Sequence, residues 1–246
     1  MTWLGLRGRR RGVATPRPRA LRDPGGVLVV SCYELGHQPH GIALPAAFLE
    51  RAGFTPAVLD LSRGPLDEAA VRRAEVVALS VPMHTALRVG IGAMRRIRAL
   101  QPRAFICCYG LYAWLNAEYL LDGTADAVIG GEYEGALVAL LEDLARGGRG
   151  EVPGVWTRGR RSEPVLERLD FPVPARGGLP HLASYARLVD GAREAVAGYT
   201  ETTRGCLHHC LHCPVPPVYG GRFFAVPQAV VLADVERQVA AGARHI

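Results

Sequence analysis

Hydrophobic residues in the first half of the chain fall in short unbroken runs, without alternation. The runs occupy residues 27–32, 57–61, 76–81, 104–109 and 127–129 and are rich in Val and Ile. A strand buried on both faces reads this way, because neither face meets water. Between the runs the apolar positions take a helical period. Leu44 pairs with Phe48 ahead of Gly53. Leu87, Ile91, Met94 and Ile97 share one face. Leu137, Leu140, Leu141 and Leu144 precede Gly147-Gly148, a helix stop. Strands joined by crossover helices predict an open, flavodoxin-like α/β parallel sheet over residues 27–146, with helices on both faces. Such a sheet binds ligands at the carboxyl ends of its strands.

The pattern then dissolves. Residues 147–198 are rich in Gly and Pro, as in Gly147-Gly148-Arg149-Gly150 and Phe171-Pro172-Val173-Pro174, and read as a linker with short strands. A new unit starts at Tyr199. Residues 199–203 predict a strand, a Cys-rich loop follows, and Pro227 marks a helix start. Val231, Val235 and Val239 form a stripe on that helix, Gly242 ends it, and Arg244-His245-Ile246 opens another strand. Strand, loop, helix, strand is the beginning of a β/α barrel, whose sites lie on the loops after the strands. A full barrel takes about 250 residues. Residues 199–246 supply only its first portion, so the chain is expected to be a fragment, inactive alone.

Charge alters this picture only at the start. The chain has 246 residues, 49% of them hydrophobic, and a net charge of +6. Residues 1–26 carry that whole excess, and the rest is neutral. Without apolar periodicity, residues 1–26 read as a disordered basic tail whose deletion leaves folding unchanged. Every basic residue is Arg; there is no Lys. No apolar run approaches the ~20 residues that span a bilayer, and no signal-peptide core follows the Arg-rich start. A cytoplasmic protein is expected, with neither membrane nor nucleic acid as a partner. Six Cys are too few for a disulfide scaffold in a chain this long.

Three of those Cys carry the candidate chemistry. Cys206, Cys210 and Cys213 stand in Thr203-Arg204-Gly205-Cys206-Leu207-His208-His209-Cys210-Leu211-His212-Cys213. Three thiolates on one loop point to an iron–sulfur cluster with one iron open to a further ligand. Zinc is the alternative, with His208, His209 or His212 as fourth ligand, although closing that tetrahedron inside so tight a loop strains it. On that reading the chain is a zinc-binding Cys/His module on an α/β ligand-binding domain, without redox chemistry. Cys32, Cys107 and Cys108 lie in predicted buried strands and read as small hydrophobes. His84 after the third strand reads either as a residue lining the cleft or as an ordinary surface or core histidine, and Arg222 in the loop behind the cluster either as a contact for an anionic ligand or, more simply, as an ordinary loop residue.

The Thr203-Arg204-Gly205-Cys206 run with Cys210 and Cys213 resembles the signature of the radical S-adenosylmethionine (SAM) superfamily. The resemblance implies a 4Fe–4S cluster on Cys206, Cys210 and Cys213, with SAM chelating the open iron. It implies reductive cleavage of SAM to a 5′-deoxyadenosyl radical that attacks an unidentified substrate. His212 stands where the family usually places an aromatic residue beside the adenine of SAM. An electron donor such as flavodoxin or ferredoxin is implied as a partner. Residues 27–146 resemble the cobalamin-binding domain that often precedes such barrels. Gly130-Gly131-Glu132-Tyr133-Glu134 is similar to its Gly-Glu-x-Glu turn, and the linker's Pro180 and Tyr185 resemble the joint. This implies cobalamin as a cofactor, near Ser80, Gly110, Gly130 and Gly131, although the D-x-H-x-x-G motif is missing around His37 and His40. Tyr33-Glu34-Leu35-Gly36, Pro82-Met83-His84-Thr85 and Tyr109-Gly110-Leu111-Tyr112 are most similar to the bacterial subgroup named for a CUAEP or CCAEP C-terminal tail. The resemblance spans about residues 27–246.

Overall fold

The five hydrophobic runs become parallel strands. They are β1 (Val27–Ser31), β2 (Ala57–Asp60), β3 (Val76–Ser80), β4 (Phe105–Tyr109) and β5 (Ala127–Ile129) in a computed structural model that describes residues 16–246. Their order is β2-β1-β3-β4-β5, the doubly wound order in which the chain switches direction between β1 and β3. Every residue of β1, β3, β4 and β5 is buried, as the unbroken apolar runs require. The edge strand β2 is half-buried apart from Asp60.

Side chains alternate between two cores, one on each face of the sheet. Leu28, Val30, Val77, Leu79, Ile106 and Cys108 face one core, against α2 (Glu68–Arg73), α3 (His84–Leu100), α4 (Leu111–Leu115) and α5 (Ala117–Asp122). Val27, Val29, Ala78, Phe105, Cys107 and Tyr109 face the other, against α1 (His40–Arg51) and α6 (Tyr133–Ala145). Leu87, Met94 and Ile97 of α3 are buried as predicted, while Ile91 sits at the core margin. Asp67 starts α2 by accepting from the N–H groups of Ala69 and Ala70. Burial raises the Cys107 and Cys108 thiols well above the ordinary range and pushes Cys32 up to about 12, so all three act as apolar filler.

Two boundaries read from the sequence are corrected. Residues 1–15 lie outside the described residues, but residues 16–26 are no loose tail. Pro18–Leu21 forms a 3₁₀ turn, and Leu21 is fully buried in the α1/α6 core. Buried Glu75 accepts the Arg17 backbone N–H at 2.8 Å and its guanidinium at 2.6 and 2.8 Å. The expected linker also begins late. Its β6 (Val155–Thr157) pairs antiparallel with β5 and closes that sheet edge. Trp156 of β6 meets Trp114 edge to face at 5.4 Å.

After an exposed hairpin, β7 (Arg187–Asp190) and β8 (Arg193–Val196), comes the Cys-rich unit. The strand expected at 199–203 lies further on, as β9 (Thr203–Gly205), and pairs antiparallel with β10 (Phe223–Ala225). The parallel pairing expected of barrel strands is a single bridge, Ala197 with His245. Between them run α7 (Pro216–Tyr219) and α8 (Gln228–Ala240), with Pro227 as the cap of α8. The buried side chains of α8 are Asp234 and Gln238, whereas Val231 and Val235 are half-buried and Val239 is exposed. The reason is polar. Gln238 brackets both backbone groups of Tyr199, and Asp234 receives Arg176 at 2.7 and 2.8 Å. No described helix is long and apolar enough to cross a membrane.

Candidate functional site

The Cys loop rises from β9. Gly205 adopts φ +73°, a left-handed value open to glycine. A side chain there would also strike the Arg222 carbonyl and the Tyr219 ring. Glycine therefore lets the chain turn tightly into Cys206, whose N–H donates to the Arg222 carbonyl at 3.1 Å. Cys213 N–H donates to the Cys210 carbonyl at 3.2 Å, closing a turn between the last two thiols. Cys206 and Cys213 are half-buried, Cys210 is exposed, and all three are free thiols. Among the described residues, no three His, Cys, Asp or Glu side chains are gathered tightly enough to hold a metal ion. The donor set fits a thiolate-bound iron–sulfur centre by its chemistry; the loop has to draw in to make it a cage. His208 and His212 are exposed, and His209 lies over Gly221, where a Cβ would meet its ring at 2.5 Å.

The base of the loop is fixed by ions. Arg204, two residues before Cys206, is 5% exposed. Its guanidinium donates to both Glu134 oxygens at 2.6 and 2.8 Å, to Glu201 at 2.7 Å and to Glu132 at 3.3 Å. It lies over the rings of Phe171 and Tyr133 at 5.1 and 5.3 Å. Glu132 and Glu134 are fully buried. They belong to the Gly130-Gly131-Glu132-Tyr133-Glu134 turn after β5, so that turn and the Arg204-Gly205-Cys206 run meet face to face. Tyr219 donates to Glu132 at 3.0 Å, and His40 Nε2 stands 3.5 Å from Glu201.

Burial pushes Glu132 up to about 7; Arg204 opposes this and Glu134 reinforces it. Burial also acts upward on Glu201, but the His40 hydrogen bond and Arg204 together hold it at about 2. The two groups give opposite pH dependences. Between the ordinary 4.5 and about 7, the folded chain keeps the Glu132 proton that the unfolded chain has lost. Glu132 therefore withdraws stability as pH rises through that window. Glu201 contributes stability that is complete above about 4.5 and is lost as pH falls toward about 2. Glu132→Gln is expected to flatten the decline in urea midpoint between about pH 5 and 7, measured by unfolding at several pH values. An unchanged decline would remove Glu132 from the account.

The carboxyl end of the sheet is filled by the chain itself. Glu34 accepts from the N–H groups of His40 and Gly41 at 2.8 and 3.1 Å, which caps α1. A Cβ on Gly41 would lie 2.7 Å from Ser80 Oγ. Tyr109 donates to the Gly41 carbonyl and Tyr185 to Asp60, at 2.7 and 2.8 Å. Ser80 is buried there. Gly110 takes φ +103° against the Val81 carbonyl, and a Cβ on Gly130 would lie 2.7 Å from the Trp114 side chain. A Cβ on Gly131 would strike the Val165 carbonyl. These glycines serve close approach of the chain to itself. As placed, Ser80, Gly110, Gly130 and Gly131 do not form an open cradle for a corrinoid. His84 is exposed at the start of α3, and Arg222 donates to the Leu166 carbonyl at 3.1 Å. Sequence reasoning missed Glu201 and the Arg176–Asp234 pair. Glu34, His40 and the acids of the Gly-Glu-x-Glu turn were named through the resemblance, but without these partners.

No protein-family model matches the sequence, and no curated protein sequence matches it. Among solved structures, the chain is similar to TsrM from Kitasatospora setae, a radical S-adenosylmethionine methyltransferase with tryptophan substrate and the SAM analogue aza-SAM bound. The TM-score is 0.60 and the identity 20%, over 87% of this chain and 45% of that one. A flavodoxin-like domain from Synechococcus sp. matches at TM-score 0.32 and 17% identity, over 51% of this chain and 90% of that one. The chain thus spans less than half the length of TsrM and shares the fold of the part it covers.

Proposed function

We propose that this chain is the cluster-bearing part of a radical SAM enzyme. Cys206, Cys210 and Cys213 would hold a 4Fe–4S cluster, and His212 would lie beside the adenine of SAM. The observation that carries this reading is three free thiols on one loop whose base is pinned to the carboxyl end of an α/β sheet. The fold shared with TsrM supports it. A cluster held there would supply the electron for reductive cleavage of SAM, drawn from a small donor such as a flavodoxin or ferredoxin. The chain's own part is mechanical. Gly205 sets the turn into the first thiol, the Cys210–Cys213 turn brings the other two together, and Arg204 fixes where the loop starts. Cobalamin is left out of the proposal, because Trp114 and Val165 stand over Gly130 and Gly131.

Anaerobic reconstitution with iron and sulfide tests this. About four irons and four sulfides per chain are expected, lost in Cys210→Ala and kept in Cys107→Ala. Zinc bound without acid-labile sulfide would replace this reading with the Cys/His zinc module.

A further inference from the structure

We propose that Glu132 and Glu134 are positioning residues for the Cys loop, fastening both of its ends to the sheet domain. This rests on the cluster reading above for its purpose, but its geometry stands alone. The Cys loop runs from β9, which holds Arg204, to α7, which ends at Tyr219. Glu132 touches both ends, Arg204 at 3.3 Å and the Tyr219 hydroxyl at 3.0 Å. Glu134 holds Arg204 through two parallel bonds of 2.6 and 2.8 Å, an arrangement that fixes direction as well as distance. The two ends also touch each other, since Gly205 has room for no side chain against Tyr219 and Arg222.

Stability alone does not account for this arrangement. One carboxylate would neutralise Arg204, yet three surround it, two of them fully buried. Replacing buried ion groups by well-packed apolar ones is often neutral or stabilising. What the charges add is a single allowed orientation of the guanidinium, and with it of the backbone two residues before Cys206. Three ligands on one loop gather around a cluster more readily when both loop ends are already in place.

The test uses the full chain in four forms: wild type, Glu134→Ala, the milder Tyr219→Phe, and Asp126→Ala. The last breaks a comparable buried pair, Arg98–Asp126 at 2.6 Å, on another part of the sheet. Hydrogen exchange on the metal-free protein is read over residues 203–225. Exchange there is expected to rise at least tenfold in Glu134→Ala, severalfold in Tyr219→Phe, and not in Asp126→Ala. Iron loss from the reconstituted protein to a chelator should follow the same order. Equal exchange over 203–225 in Glu134→Ala and Asp126→Ala would overturn the proposal, reducing Glu134 to a general stabiliser. If wild type takes up no cluster, the proposed function falls, while exchange still decides whether the carboxylates hold the loop.

Discussion

Arg204→Ala is expected to destabilise the chain by about 3–5 kcal/mol, the range for breaking one side of a buried ion pair. The change leaves Glu132 and Glu134 buried without their cation, and Glu201 without its shortest ion contact. Glu132, pushed up to about 7 by burial, is neutral at pH 5 and charged at pH 8, so the loss should be larger at pH 8. Arg204→Lys should recover only part of it, because one ammonium cannot span three carboxylates in a plane. Urea unfolding of the three proteins at the two pH values measures this. A loss near zero, or one that does not grow with pH, would mean that the carboxylates find other partners.

The second large effect lies at the other end of the described chain. Leu21→Ala should cost about 2–5 kcal/mol, since Leu21 is fully enclosed by the α1/α6 core. Deleting residues 1–26 should cost more than this, because it also strips buried Glu75 of Arg17. Comparing the melting temperatures of the deletion, Leu21→Ala and wild type checks the order. A deletion as stable as wild type would restore the reading of residues 1–26 as a dispensable tail.

That reading failed for a specific reason. Leu21 is a single apolar residue among Arg and Pro, and one anchor leaves no period to detect. The sheet was legible because its strands are buried on both faces, so burial is written into unbroken Val and Ile runs. β6 was hidden because three residues between breakers carry no pattern, and what orders them is pairing with β5. The Val stripe on α8 misdirected for a related reason. The face of α8 that packs best is held by Asp234 and Gln238, whose partners Arg176 and Tyr199 lie in another segment. The thiol spacing was legible because it is local. The grip on Arg204 was not, since Glu134 lies 70 positions away in the chain.

Arg176 and Arg204 have a joint consequence. Arg204 ties the root of β9 to the sheet domain through Glu134, and Arg176, in the segment between the two units, joins Asp234 of α8 to Gln38 at 3.2 Å, just ahead of α1. A single tether would leave a swivel. Two tethers on different elements remove the free axis, so the joint behaves as a weld. If the thiol loop takes a substrate as proposed, the opening that admits it is then expected at the loop tip, around exposed Leu207 and Leu211, and not from the two units swinging apart.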